Sequence, residues 1–147
     1  VVTSLELDSA KMEENNHRFQ RTYRLIEENE IRFKEYYTED AEYLIVAFGS
    51  IARICLKAIE EAREAGIKIG LLRPITLWPF PTAEIARLSK QVRGILTVEL
   101  NAGQMVEDVR LAAEGRVPVF HFGRMGGMIP NPTEVLEALK NDFPELR

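Results

Sequence analysis

Seven residues carry groups able to hold or polarise a small anionic or polar ligand: Gly49, Ser50, Arg73, Glu99, Asn101, Gly103 and Gln104. They sit in three short segments, and each segment directly follows an apolar run. Where such a run is a strand and a helix comes next, glycine permits the tight turn. The helix start then offers free N–H groups and partial positive charge. Brought together, the three segments form an anion or polar-ligand crevice. The same residue types also serve as local caps: Ser50 on its own helix, Glu99 on Arg73 or on helix N–H groups, and Gly49 and Gly103 in turns. The residues alone leave both readings open.

Other reactive side chains say less. Gly123-Arg124-Met125-Gly126-Gly127-Met128 is glycine-rich but matches neither GxGxxG nor GxxxxGK[ST]. It reads as a surface loop that offers Arg124, Met125 and Met128 to a partner. His121 lies inside Val-Phe-His-Phe and is expected to be a core residue bonded to backbone. No Ser or Cys stands near it in a nucleophile motif. Cys55 falls on the apolar face of a predicted helix, as a small hydrophobe does. Leu77-Trp78-Pro79-Phe80-Pro81 is a rigid apolar stretch. Trp78 and Phe80 either close the core or form a subunit contact, since Trp is enriched at binding hot spots.

The elements that place these residues alternate from Glu42 onward. Tyr43–Phe48 is a continuous apolar run, the mark of a strand buried on both faces. Ile51, Ile54, Cys55, Ala58, Ile59 and Ala62 mark one helix face, which Gly66 ends. Ile67–Leu72 is a second strand, and the prolines between Arg73 and Pro81 exclude helix. Thr82 is positioned to cap a short helix with Ile85 and Leu88. A third strand, Ile95–Leu100, a helix from Met105 to Ala113 and a fourth strand, Val117–Phe122, follow. Asn131-Pro132-Thr133-Glu134 opens a last helix with a capping box and Pro at its first position.

Alternating strands and helices predict an α/β protein of three layers, α/β/α, around a mostly parallel sheet. Right-handed crossovers favour strand order 2-1-3-4. Val1–Leu7 is a candidate extra edge strand. Residues 1–40 read as an extension with one long helix, Asp8 to Tyr37, free of Gly and Pro. Its thin apolar stripe is Met12, Phe19, Tyr23, Ile26 and Phe33. Residues 41–147 form the α/β domain. In such a sheet the crevice lies where the winding reverses, between strands 1 and 3.

Composition sets the outer limits. The chain has 147 residues, 46% hydrophobic and 29% charged, which suits one folded soluble domain. A net charge of −4 argues against nucleic acid as a partner. No apolar run approaches the roughly 20 residues of a membrane span. A single cysteine cannot make an internal disulfide, a zinc site or an iron–sulfur ligand set, and it points to the cytoplasm. The two histidines, His17 and His121, are far apart in sequence, so no metal is expected. Residue 1 is Val, and the chain is expected to be a piece of a longer protein.

Three stretches carry a family resemblance: Ile45-Val46-Ala47-Phe48-Gly49-Ser50, the run from Gly70 to Pro81 with its Arg-Pro and Leu-Trp-Pro-Phe-Pro, and Val98 to Met105. Together they resemble the C-terminal domain of the alpha subunit of 2-oxoacid:ferredoxin oxidoreductases, of the 2-oxoglutarate or branched-chain type. The likeness covers Glu42 to Lys140 well and the leading helix more loosely. It implies a transketolase C-terminal-like fold in an enzyme that oxidatively decarboxylates a 2-oxoacid to an acyl-CoA and reduces ferredoxin. Thiamine diphosphate with Mg2+ and the iron–sulfur clusters are implied elsewhere in the complex, and no catalytic residue transfers to any position here. The implied partners are the N-terminal domain of the same subunit, the other subunits, ferredoxin and coenzyme A. The phosphates of coenzyme A would favour Arg73, Arg124 and helix N-termini. Two alternatives are the C-terminal domain of another thiamine enzyme, of transketolase or 2-oxoacid dehydrogenase beta type, and a free-standing flavodoxin-like module for an anion or nucleotide.

Overall fold

The computed structural model describes residues 5–146. Its core is a five-stranded sheet. The strands are β1 (Phe33–Tyr36), β2 (Tyr43–Ala47), β3 (Ile69–Pro74), β4 (Gly94–Glu99) and β5 (Val119–Gly123). Their spatial order is β1-β3-β2-β4-β5, parallel throughout except for β1. The run β3-β2-β4-β5 is the expected 2-1-3-4 winding. The helices are α1 (Ser9–Asn29), α2 (Ile51–Glu64), α3 (Thr82–Leu88), α4 (Met105–Ala113) and α5 (Pro132–Asp142), with a closing 3-10 turn, Pro144–Leu146.

Side-chain alternation divides the core between the two faces of the sheet. Tyr43, Ile45 and Ala47 of β2, Ile69 and Leu71 of β3, and Leu96 and Val98 of β4 pack under α2 and α5. Leu44, Val46, Leu72 and Ile95 pack under α3 and α4. All of β2 is buried, as its unbroken apolar run requires. Each fully buried Ile, Leu or Val side chain stabilises the fold by about 1.5–3 kcal/mol.

Caps follow local sequence at some helices and not at others. The Asp8 carboxylate accepts from the N–H groups of Ala10 and Lys11 and starts α1. Asn131 and Glu134 form the expected reciprocal capping box of α5. Ser50 stands at the N-cap of α2 in helical geometry and makes no side-chain cap bond. Thr82 is the first helical residue of α3, after Pro81.

The expected extent of the first helix is wrong. Helix α1 stops at Asn29, and Phe33–Tyr36 turns back as the antiparallel edge strand. Pairing with β3, register Phe33↔Pro74 to Tyr36↔Leu71, overrides the helical propensity of this stretch. Arg87 of α3 reinforces the pairing through an ion pair with Glu35. In Val1–Leu7, the candidate edge strand, residues 5–7 belong to no strand and residues 1–4 lie outside the described residues. Helix α1 buries none of its residues. It meets the domain through Tyr23, whose ring stands edge-on to Trp78 with centroids 5.6 Å apart.

Candidate functional site

The carboxyl ends of β2 and β4 bring Gly49-Ser50 and Glu99 to Gln104 to the reversal point of the winding, as expected. The side chains there are organised around Glu99, which is completely buried. Its Oε1 accepts the N–H of Met105 at 2.8 Å, and its Oε2 accepts that of Val106 at 3.1 Å. The N–H of Gln104 lies 3.3 Å from both oxygens. Asn101 donates Nδ2 to Glu99 and accepts the N–H of Gly103 at 2.7 Å. The free N–H groups of α4 are therefore met by the chain's own carboxylate. The helix dipole adds to this arrangement, because negative charge at a helix start is stabilised.

Of the two readings of these residues, the geometry on the β4 side is capping. An anionic ligand placed at the start of α4 would compete with Glu99. Beside it, a hollow of about 140 Å³ is lined by Phe48, Leu77, Glu99, Gln104, Met105 and Asp108, two of them acidic.

Arg73 does not join this group. It shares the alternation of Ile69 and Leu71, so it belongs to the α2 face of the sheet, while Glu99 belongs to the α4 face. No ion pair links Arg73 and Glu99, and the buried Nε of Arg73 lacks a hydrogen-bond partner. Gly49 has φ +65, a conformation glycine adopts without strain, and both Gly49 and Ser50 are exposed. On this side the start of α2 carries no side-chain cap.

His121 is the residue that sequence reasoning misplaced. It is not bonded to backbone through Nε2, which is buried and unpartnered, and it faces Glu99 Oε2 at 3.7 Å. The imidazole is packed against two glycines: a Cβ at Gly123 would overlap its ring and the Asn101 carbonyl, and one at Gly103 would touch it at 3.6 Å. The register Thr97↔His121 and Glu99↔Gly123 sets His121 on the face of Glu99, and no local sequence pattern signals it. Cys55 is buried in the core, as expected, and burial pushes its thiol up to about 12.

The expected contact residues divide. Trp78 is 54% exposed and follows the trend of a surface anchor, while Phe80 is half-buried against the α3–α4 core. Met125 and Met128 are exposed. Arg124 is held by Glu134 at 2.7 Å, which reduces its availability to an external phosphate. Among the described residues no group of three or more His, Cys, Asp or Glu side chains is arranged to hold a metal ion, and no helix is long and apolar enough to cross a membrane.

A mostly parallel sheet of this winding, with helices packed on both faces, defines a three-layer α/β domain. Residues 41–135 match the family model of the pyruvate:ferredoxin oxidoreductase core domain II, and the chain belongs to that family. It is 44% identical over 140 residues to the ketoisovalerate oxidoreductase subunit VorB of Methanothermobacter thermautotrophicus, which covers 95% of this chain and 40% of that protein. It is 34% identical over 103 residues to the 2-oxoglutarate synthase subunit KorA of Methanothermobacter marburgensis, covering 70% of this chain and 28% of that one. The fold matches the 2-oxoglutarate:ferredoxin oxidoreductase of Magnetococcus marinus, with a TM-score of 0.78 at 19% identity over 97% of this chain and 24% of that one. It also matches a split-gene transketolase, with a TM-score of 0.65 at 18% identity, covering 79% and 42%. The chain spans about two-fifths of the length of its VorB relatives.

Proposed function

We propose that the chain is a non-catalytic assembly domain of a cytoplasmic, thiamine-diphosphate-dependent 2-oxoacid:ferredoxin oxidoreductase. In this reading the whole enzyme converts a 2-oxoacid to an acyl-CoA, and this domain orients the parts that hold the cofactor. The observation that carries the reading is the kinship to oxidoreductase subunits across 95% of the chain, in a chain whose buried Glu99 carboxylate caps α4. Thiamine diphosphate, Mg2+ and iron–sulfur clusters belong to other domains and subunits. The exposed Trp78 beside Tyr23 is the contact offered to them. If coenzyme A touches this domain, Arg73 and the uncapped start of α2 are the groups left to receive its phosphates.

The test is reconstitution. The 147-residue chain alone is expected to turn over no 2-oxoacid with coenzyme A and ferredoxin. Mixed with the polypeptides bearing the thiamine and cluster domains, it is expected to restore turnover. Trp78→Ala should weaken that association while leaving the melting temperature of the isolated chain nearly unchanged. Turnover by the chain alone overturns the proposal.

A further inference from the structure

Trp78 is the chain's single tryptophan, and its half-exposed ring lines two hollows. The smaller measures about 440 Å³ and is lined also by Tyr23 and Arg24 of α1. Tyr23, edge-on to the indole, steadies the ring from this side. The larger measures about 570 Å³, with apolar walls from Ile31, Pro79, Phe80, Ala83 and Ala86. Glu27 of α1 lines both. Charge in the larger hollow has one sign. Its ionisable lining groups are Glu27 and Glu114, and among the described residues no Lys, Arg or His joins them. Glu114 is ion-paired with Arg116. Glu27 makes no side-chain hydrogen bond or ion pair among the described residues. Arginine groups stand over the rings of Phe19 and Tyr37, and none stands over Trp78.

We propose, on the reading that Trp78 meets the rest of the oxidoreductase, that the larger hollow receives an arginine side chain from another domain or subunit of that enzyme. The charge of the hollow selects the guest. A phosphate or carboxylate would meet Glu27 and Glu114 with like charge. A purely apolar side chain would cover Ile31 and Phe80 but strip water from Glu27 without replacing it, which is costly. Arginine meets both demands. Its aliphatic stem lies on Pro79, Ala83 and Ala86, as long cationic side chains do on apolar surface. Its planar head stacks on the indole and offers paired N–H donors to the free carboxylate of Glu27. Lysine carries a more strongly hydrated charge and no planar fork, so it fits this pairing less well. Arg24 repels a second cation from the smaller hollow, which confines the guest to the larger one.

Trp78 reports on the site directly, because it supplies the only indole emission of the 147-residue chain. The probes are acetyl-Gly-Arg-Gly amide and the same peptide with citrulline, which keeps the shape of arginine and loses its charge. The arginine peptide is expected to change Trp78 emission saturably and to shift the amide resonances of Ala83 and Ala86. The citrulline peptide is expected to bind about tenfold more weakly. Glu27→Gln, at an exposed helical position, should keep the parent's circular dichroism and bind the arginine peptide about threefold more weakly. Equal midpoints for the two peptides, no response to either, or a Glu27→Gln chain that binds like the parent overturns the proposal. If the variant unfolds, the two peptides on the unaltered chain still decide. A negative titration beside a successful reconstitution removes the arginine and leaves Trp78 as an assembly contact. Arginine-selective binding beside a failed reconstitution leaves the hollow and removes the assembly reading.

Discussion

Glu99 on β4 holds the start of α4, with its two oxygens on the N–H groups of Met105 and Val106, and it does so with no exposure to solvent. Strand and helix are thereby joined by a buried carboxylate. Glu99→Ala leaves at least two buried N–H groups without an acceptor, and each such loss costs about 1–3 kcal/mol. The expected outcome is a fall of about 3 kcal/mol in the urea-unfolding free energy, with a smaller fall for Glu99→Gln, which keeps one carbonyl acceptor. If Glu99→Ala is as stable as the parent, the carboxylate is not the anchor of α4.

Gly94, the first residue of β4, lies under Phe143, the residue that ends α5. A Cβ at 94 would overlap the Phe143 ring. That ring is buried and packs on Tyr43 at 5.0 Å and Phe120 at 5.2 Å between centroids. Gly94→Ala should destabilise the fold by about 1–3 kcal/mol, the usual cost of overpacking a filled core. Adding Phe143→Leu should return part of that loss, because the two sites share one space. Additive losses in a double-mutant cycle would show that the two residues do not meet.

Much of this architecture is legible in the amino-acid order. The unbroken run Tyr43–Ala47, the capping box at Asn131 and the alternation of apolar runs with helical faces are local signals. Together with the right-handed crossover rule they favour the winding of β3-β2-β4-β5. What fails is long-range. Residues 33–36 are compatible with helix and become strand only because the edge of β3 pairs with them. His121 is placed beside Glu99 by strand register, which no local pattern encodes. Arg73 parts from Glu99 for a related reason: a topological reversal point gathers chain segments, while side-chain alternation sends Arg73 and Glu99 to opposite faces.

Acid should loosen the ends of the domain first. The Tyr43 hydroxyl donates to Glu145 at 2.7 Å and, as the main cause, holds that carboxyl below its usual range. Arg63 does the same for Asp40, first through its hydrogen bond, at 2.6 Å. A group with a lowered folded pKa contributes stability above its unfolded pKa and loses it as pH falls through the folded value. Both contributions are therefore intact at neutral pH and disappear in the acid range below about pH 4. Tyr43→Phe should reduce the steepness of acid unfolding followed by circular dichroism, and an unchanged profile counts against the Tyr43–Glu145 bond. Tyr43 itself is pushed up, chiefly by burial, so its contribution is lost in the other direction, as pH rises beyond the ordinary tyrosine range.

The boundary between helix and sheet predicts two different truncations. Removing residues through Asn29 deletes a helix that buries nothing and breaks the Tyr23–Trp78 contact, an aromatic pair worth about 0.5–1.5 kcal/mol. That chain should fold with nearly the parent's unfolding midpoint. Removing the first 40 residues also deletes β1, exposing the edge of β3, stripping Arg87 of Glu35 and taking Asp40 and the Tyr37 carbonyl from Arg63. The shorter chain should unfold at markedly lower urea concentration and aggregate through the bared β3 edge. Equal midpoints for the two truncations would mean that β1 decorates the sheet rather than completing it. A collapse of the first would give α1 a role in the core that its exposed surface denies.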